Sequence, residues 1–402
     1  MTDLKEFREN VAQISEIDEI ILDPVKAEGI YVYNSDGRKF IDMLSGICVG
    51  NAGHRNPQVI KAIEKQIKDY LHVMVYGEFM QKPQLDYIKR LKEFLPKELT
   101  QIFYVNSGSE AIEGAIKAAK LYNHRKEIIT YTNSYHGSTL GCVSMLSAKE
   151  FTECFQPLLP ECHHIQFNTE KDLLKITDKT CCVVAETVSV GDGVKLPKND
   201  YLKKLRKRCD ETGTVLILDE IQTGFGRTGT LFAFEQYGFV PDILCIAKAM
   251  GGGLPIGAFI GKEAIMQRLN NGHPLIGHAT TYGGNPVCLA SALAQLNEVA
   301  KLLENERNND NVLSIQQKGE IYRNKLKHKH IERVEGVGLF NAIYLKKDVD
   351  WKKVLISCFN NGIITGTHLF NANSLSIKPP LIITEEEIEE SISKILKALD
   401  EI

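Results

Sequence analysis

Five short apolar runs, "QIFYV", "EIITY", "CCVVAE", "TVLILDE" and "ILCIA", follow one another between about residues 100 and 260, with amphipathic stretches between them. Their length and near-continuous apolar character suit strands buried on both faces of a parallel sheet. The separating helix is clearest in "DYLKKLRKRCDETG", between the third and fourth runs. A chain that alternates in this way folds as α/β, a doubly wound and mostly parallel sheet with helices on both faces. Beyond about residue 290 the character changes to α+β: a long helix ("NPVCLASALAQLNEVAKLLENE"), the apolar run "GVGLFNAIYL" and a terminal helix. Thr384 and Glu387 spell a capping box for that last helix, whose Ile388, Ile392, Ile395 and Leu399 share a face.

Before the repeated units, "IYVYNSDGRKFIDML" predicts a β-hairpin turned by Asp36-Gly37. "NPQVIKAIEKQIKDYL" predicts a helix capped by Asn56, with Val59, Ile60, Ile63 and Ile67 on one face. The expected organisation is an N-terminal segment over residues 1–50 packing with the small domain, a large domain over 51–295 and a small C-terminal domain over 296–402. A formal net charge of −3 gives no reason to expect nucleic acid or an anionic membrane as partner. No apolar run approaches the ~20 residues that cross a bilayer. The start, "MTDLKEFREN", lacks the apolar core of a secretory signal, and the ten cysteines form no C-x-x-C pair. Reduced, mostly buried thiols in a cytoplasmic protein without a zinc site are the expectation.

The segment "LDEIQTGFGRTG" contains G-x-G-x-x-G, the spelling of a dinucleotide fingerprint, and its context argues against that function. Gly224 stands five positions beyond Asp219 rather than directly after the strand, and "TLFAFEQYGFVPD" is a poor helix start. Where a ribose-binding acid should end the next strand, the chain has Lys248.

Two neighbouring strands therefore end in Asp219 and Lys248, and reactive groups gather at the carboxyl ends of such strands. A carboxylate and an amine so placed are what pyridoxal phosphate requires: the lysine forms a Schiff base with the aldehyde and the acid pairs with the pyridinium nitrogen. A plain Asp–Lys ion pair would use the same residues. The third element is "FYVNSGSEAIEGAIKAAKLY", where Ser107, Gly108 and Ser109 open a helix and offer hydroxyls and free N–H groups to a phosphate.

With these motifs in order the chain resembles the class III, acetylornithine/ornithine-type aminotransferases of fold type I. The resemblance rests on "GIYVYNSDGRKFIDMLSGICV", "NSGSEA", "YHGST", "LDEIQTGFGRTG", "AKAMGGGLPIGA", "TTYGGNP" and "KPPLIIT", and runs from about Gly29 to Ile395. It implies Lys248 as the Schiff-base lysine and Asp219 as the partner of the ring nitrogen. It further implies Gln222 on the ring hydroxyl, Tyr135 on the ring face, Ser107, Gly108 and Ser109 on the phosphate, and His136 and Glu186 within the cofactor site. Thr281 would reach the phosphate of the other subunit, which implies a homodimer. Arg227 would shape the turn after Asp219. The implied reaction is ping-pong transfer of an amino group from an ω-amine or amino-acid donor to a keto acid.

Three positions depart from the family. Its members carry Arg after "HG", where this chain has Ser138; Glu where it has Gly191; and Arg where it has Ser376. A serine cannot replace a guanidinium fork on a carboxylate, so a small acceptor such as pyruvate fits better than 2-oxoglutarate. Lys378, two residues beyond Ser376, could restore one charge, while His136 and His368 read as ordinary hydrogen-bonding histidines. A racemase, epimerase or aminomutase on the same scaffold is the alternative, since it needs no second substrate. A non-catalytic binding module is opposed by the retained Lys248, Asp219 and Gln222.

Overall fold

Asp36 and Gly37 do close a hairpin. The chain is described from a computed structural model over residues 2–12, 20–270, 278–309 and 311–402. β1 (Pro24–Glu28), β2 (Tyr31–Asn34) and β3 (Lys39–Asp42) form an antiparallel ribbon, turned at Gly37 with φ 77°. The helix Pro57–Asp69 follows, and Asn56 caps it by accepting from the N–H groups of Gln58 and Val59.

The central sheet has seven strands: β4 (Gln101–Val105), β5 (Glu127–Tyr131), β6 (Cys162–Ile165), β7 (Thr180–Glu186), β8 (Val215–Asp219), β9 (Ile243–Ile246) and β10 (Gly257–Gly261). Their spatial order is β4-β10-β9-β8-β7-β5-β6, and six run in one direction, with only β10 reversed. β8 shows why the run "TVLILDE" lacks alternation. Leu216 and Leu218 pack into one apolar cluster and Val215 and Ile217 into another, so both faces are covered.

Two expectations about this sheet change. "QIFYV" is a strand, but it lies at the edge, half-buried, and pairs only with the antiparallel β10. The strand inside it, "GAFIG", gives little apolar signal because glycines stand at both ends. At Gly257 a Cβ would come within 2.6 Å of the Ser107 carbonyl, so close approach to the cleft excludes a side chain there. β6, "CHHI", was hidden by its histidines.

Beyond the capped helix Pro286–Asn308, β11 (Ile331–Val337), β12 (Phe340–Leu345), β14 (Thr367–His368) and β15 (Asn371–Ile377) make a third sheet, while β13 (Ile363–Ile364) joins β3 in parallel. The terminal helix Glu385–Asp400 has the expected capping box and buries Ile388, Ile392, Ile395 and Leu399. Arg227, fully buried, ties these parts together. Its guanidinium donates to the carbonyls of Leu339 and Pro379, to Ser45 Oγ and to Asn51 Oδ1. The G-x-G-x-x-G segment is thus a turn that delivers this side chain, with Gly226 and Gly229 at φ 86° and 96°. All ten cysteines are free and seven are buried. Among the described residues no helix is long and apolar enough to cross a membrane.

Candidate active site

The carboxyl ends of β7, β8 and β9 stand side by side, with Glu186 opposite Asp219 and Asp219 opposite Cys245 in the ladder. Three residues past Cys245 the chain reaches Lys248, held at φ 49°, a left-handed conformation that strains a non-glycine residue. Asp219 and Lys248 line one cavity of about 400 Å³, so the sheet does not separate them. Ser107, Gly108, Ser109, Tyr135, His136, Glu186 and Gln222 line the same cavity. Ser138, Thr281, Ser376 and Lys378 do not line it directly.

Each element has a local cause. The helix Gly108–Asn123 begins where Ser107 Oγ accepts from the Glu110 N–H, which leaves the N–H groups of the cavity-lining Gly108 and Ser109 without helical partners. Asp219, an acceptor on both oxygens, takes the Ile221 N–H at 3.0 Å and His136 Nδ1 at 2.7 Å. Because a carboxylate only accepts, the His136 proton facing it sits on Nδ1. The far ring nitrogen meets Thr130 Oγ1 at 2.9 Å. The His136 signal in sequence was no more than its place in "YHGST"; the bond to Asp219 is a tertiary contact.

Burial lowers the Lys248 ammonium from its ordinary value, with Asp219, Cys48 and Glu186 pulling the other way. Burial and the Asp219 charge push the Glu186 carboxyl well above the usual range. The neighbour Glu220 faces away from the cavity and is satisfied four times, by Thr187 Oγ1, Thr223 Oγ1 and the N–H groups of Ala233 and Phe234. The acidic pair in "LDEIQ" is split by strand alternation, one acid in the cleft and one beneath the loop.

Another wall of the cleft was not foreseen. Ser45, Gly46, Ile47 and Cys48 have φ of 47°, 61°, 63° and 61°, a left-handed turn. Such a turn costs of order 1–2 kcal/mol per non-glycine residue. Asp42 stabilises it by accepting from the N–H groups of Leu44, Ser45 and Gly46 at 2.8, 2.9 and 3.2 Å, and is itself bound to His54 at 2.9 Å. The turn delivers Val49 to the cavity and packs Cys48 with Val188, Val190 and Phe340.

The positions at which the resemblance implies other residues lie around this wall. Ser138 is exposed, with its Oγ 2.7 Å from Tyr135 Oη. At Gly191 a Cβ would stand 1.9 Å from the Asn133 carbonyl oxygen and 2.8 Å from the Phe370 ring, so the fold leaves no room for any side chain. Ser376, 3% exposed, contacts His368 Nε2 at 3.3 Å, while His368 Nδ1 donates to the Ser374 carbonyl at 3.0 Å. Burial and the Lys378 charge push His368 down to about 3, so it is neutral there. Lys378 is 5% exposed, its Nζ lies 4.6 Å from the Phe340 ring centre, and no ion pair forms to it among the described residues. Thr281 is exposed, whereas its neighbour Thr280 accepts from Asn106 Nδ2 at 2.8 Å.

The donor set suits a phosphorylated pyridine: an anion site at a helix start, a fixed carboxylate, a buried amine and room between them. The profile of the family described as aminotransferase class III matches residues 13–399. The acetylornithine aminotransferase of Clostridium acetobutylicum is 37% identical over 383 residues, 91% of this chain and 93% of that protein. The putrescine aminotransferase of Pectobacterium atrosepticum is 37% identical over 372 residues, 88% of this chain and 77% of that protein. A structure of the ornithine aminotransferase of Toxoplasma gondii, reported with partial occupancy of pyridoxal phosphate at its active site, aligns with a TM-score of 0.86 at 27% identity, over 98% of this chain and 93% of that one. These relatives are transaminases, and the racemase or aminomutase alternative draws no support from them.

Proposed function

The chain belongs to the class III aminotransferases, enzymes that use pyridoxal 5'-phosphate, and within that family we propose that it moves a terminal amino group to a small keto acid by a ping-pong route. The observation that carries this reading is the meeting of Asp219, Lys248 and the helix start at Ser107 around one cavity. Bound there, the cofactor supplies an aldehyde that links to amines and a ring that accepts electrons from the neighbouring C–H bond.

In this reading Ser107, Gly108 and Ser109 would hold the phosphate, Gln222 the ring hydroxyl and Tyr135 one face of the ring. Asp219 would hold the proton of the ring nitrogen, and His136 fixes the carboxylate that does so. Lys248 Nζ would act as general base for the proton on the donor carbon that bears the transferred amine, a role worth ~10²–10⁴-fold. Burial favours the neutral amine that this requires. Glu186 and the apolar Val49, Val188 and Val190 would face the substrate chain.

The same reading makes the protein a homodimer. Thr281 would complete the phosphate site of the partner subunit, and beside it Tyr282 is 60% exposed. Leu71, Met74, Tyr76, Phe79 and Met80 add an exposed apolar run, with Met80 85% exposed. Nitrogen donors of the ornithine, acetylornithine or putrescine type are the first to try, since relatives carry those names. Each amine alone, without keto acid, is expected to remove the visible absorbance of cofactor held by Lys248 in a one-to-one titration. A band that survives every donor sinks the proposal.

A further inference from the structure

We propose that Lys378 reads the acceptor's carboxylate, and that it selects a 2-oxo acid carrying one carboxylate, next to the carbonyl that receives nitrogen. The inference rests on the transaminase reading above and names its acceptor class.

Among the described residues Lys248 lines the cavity, and Arg227 and Lys378 lie behind it, near enough for the three charges to act on one another. Lys248 is committed to the cofactor, and Arg227 spends its guanidinium on Leu339, Pro379, Ser45 and Asn51. Lys378 is uncommitted among the described residues. Its ammonium rests on the Phe340 ring with no hydrogen-bond acceptor among the described residues, a costly state for a charge on a residue only 5% exposed. Burial and the Asp219 charge push the Glu186 carboxyl up, and among the described residues no ion pair joins it to Lys378. A buried cation without an anion is what a substrate carboxylate would complete.

Placement supports contact. Phe340 packs in one cluster with Cys48, Val188 and Val190, and the last two also line the cavity, so Lys378 lies one side-chain layer from the reacting groups. Its charge is felt by Glu186, and it feels that of Lys248. A flexible four-carbon stem lets Nζ cross that layer.

Among the described residues no cation at positions 138, 191 and 376 meets a second carboxylate. Ser138 carries none of the charge such a group needs, Gly191 cannot bear a side chain, and Ser376 is closed against a neutral histidine. A dicarboxylate would bring one anion to Lys378 and leave the other unpaired.

The test uses the holoenzyme, with propionate and glutarate as unreactive probes and pyruvate and 2-oxoglutarate as acceptors. Calorimetry should show propionate binding at least about tenfold tighter than glutarate, and propionate should compete with pyruvate. Lys378→Met should raise the KM for pyruvate by about ten- to a hundredfold with a smaller change in kcat, and Lys378→Arg should recover most of it. Equal binding of the two probes, turnover of 2-oxoglutarate within tenfold of pyruvate, or an unchanged pyruvate KM in Lys378→Met would each overturn the assignment. If amines still discharge the cofactor band in that case, the transaminase reading survives; if they do not, it fails first.

Discussion

The cleft around Asp219 and Lys248 and the wall that carries Gly191, Ser376 and Lys378 are built by different rules. Cleft residues stand at strand ends or at a helix start, each within a few residues of the motif that announces it. The wall is assembled from the turn at Ser45–Cys48, the loop after β7 and the β14–β15 turn, segments more than 100 residues apart that share no local pattern. Position in a strand sets what the cleft presents, whereas packing between distant loops decides what the wall admits. Changes in the first should destroy chemistry, and changes in the second should shift specificity or stability.

The largest expected effect falls on the cleft. Lys248→Ala should lower turnover by at least about 10²–10⁴-fold, the worth of a placed base, and abolish the visible absorbance of lysine-held cofactor while the fold persists. Steady-state assay and an absorption spectrum of the same sample check it. Retention of both would erase the distinction between cleft and wall, because the strand end would then present no essential amine.

Much of this cleft was legible in the sequence because strand register is local. Once "TVLILDE" and "ILCIA" are neighbouring buried strands, Asp219 and Lys248 must emerge at the same edge. The helix start at Ser107 was legible for the same reason, since strand, polar turn and helix are contiguous. The bond from His136 to Asp219 was not, because it joins residues 83 apart through the order of β5, β7 and β8. Nor was β10, whose glycines serve close packing at the cost of any apolar signal. On the wall the sequence told which side chains were missing at 138, 191 and 376. It did not tell that Gly191 is sealed by Asn133 and Phe370, or that Ser376 is paired with His368, since both follow from where loops meet.

That sealing gives the next prediction. Gly191→Glu introduces the residue that the sequence resemblance implies here, yet its Cβ would meet the Asn133 carbonyl at 1.9 Å. Overpacking against backbone, with a carboxyl forced into a filled space, should destabilise by more than about 3 kcal/mol. The drop should appear as a lower denaturation midpoint at an unchanged m-value, without gained activity on 2-oxoglutarate. A stable variant that gains that activity would show the wall to be as local as the cleft.

The smallest effect sharpens the contrast from the side of charge. Lys378 is faced by Cys48, Arg227, Lys248 and Glu186, with His368 close by, and burial lowers its ammonium from 10.5 to about 8. A lysine lowered in this way binds its proton more weakly in the folded than in the unfolded chain. Below about 8 both states are protonated and the fold bears the full cost of the buried charge. As pH rises from about 8 to 10.5 the folded state releases the proton first, so this group's contribution to stability increases. Lys378→Met removes the charge at every pH. It should therefore stabilise the protein at pH 7 by no more than about 3 kcal/mol, less the lost contact with Phe340, and the gain should fade towards pH 10.5. Chemical denaturation of both proteins across that range reads the difference directly. A gain that stays flat with pH would mean that Lys378 is solvated or paired in the folded chain, and its place in the wall would then say nothing about which acceptors the cleft admits.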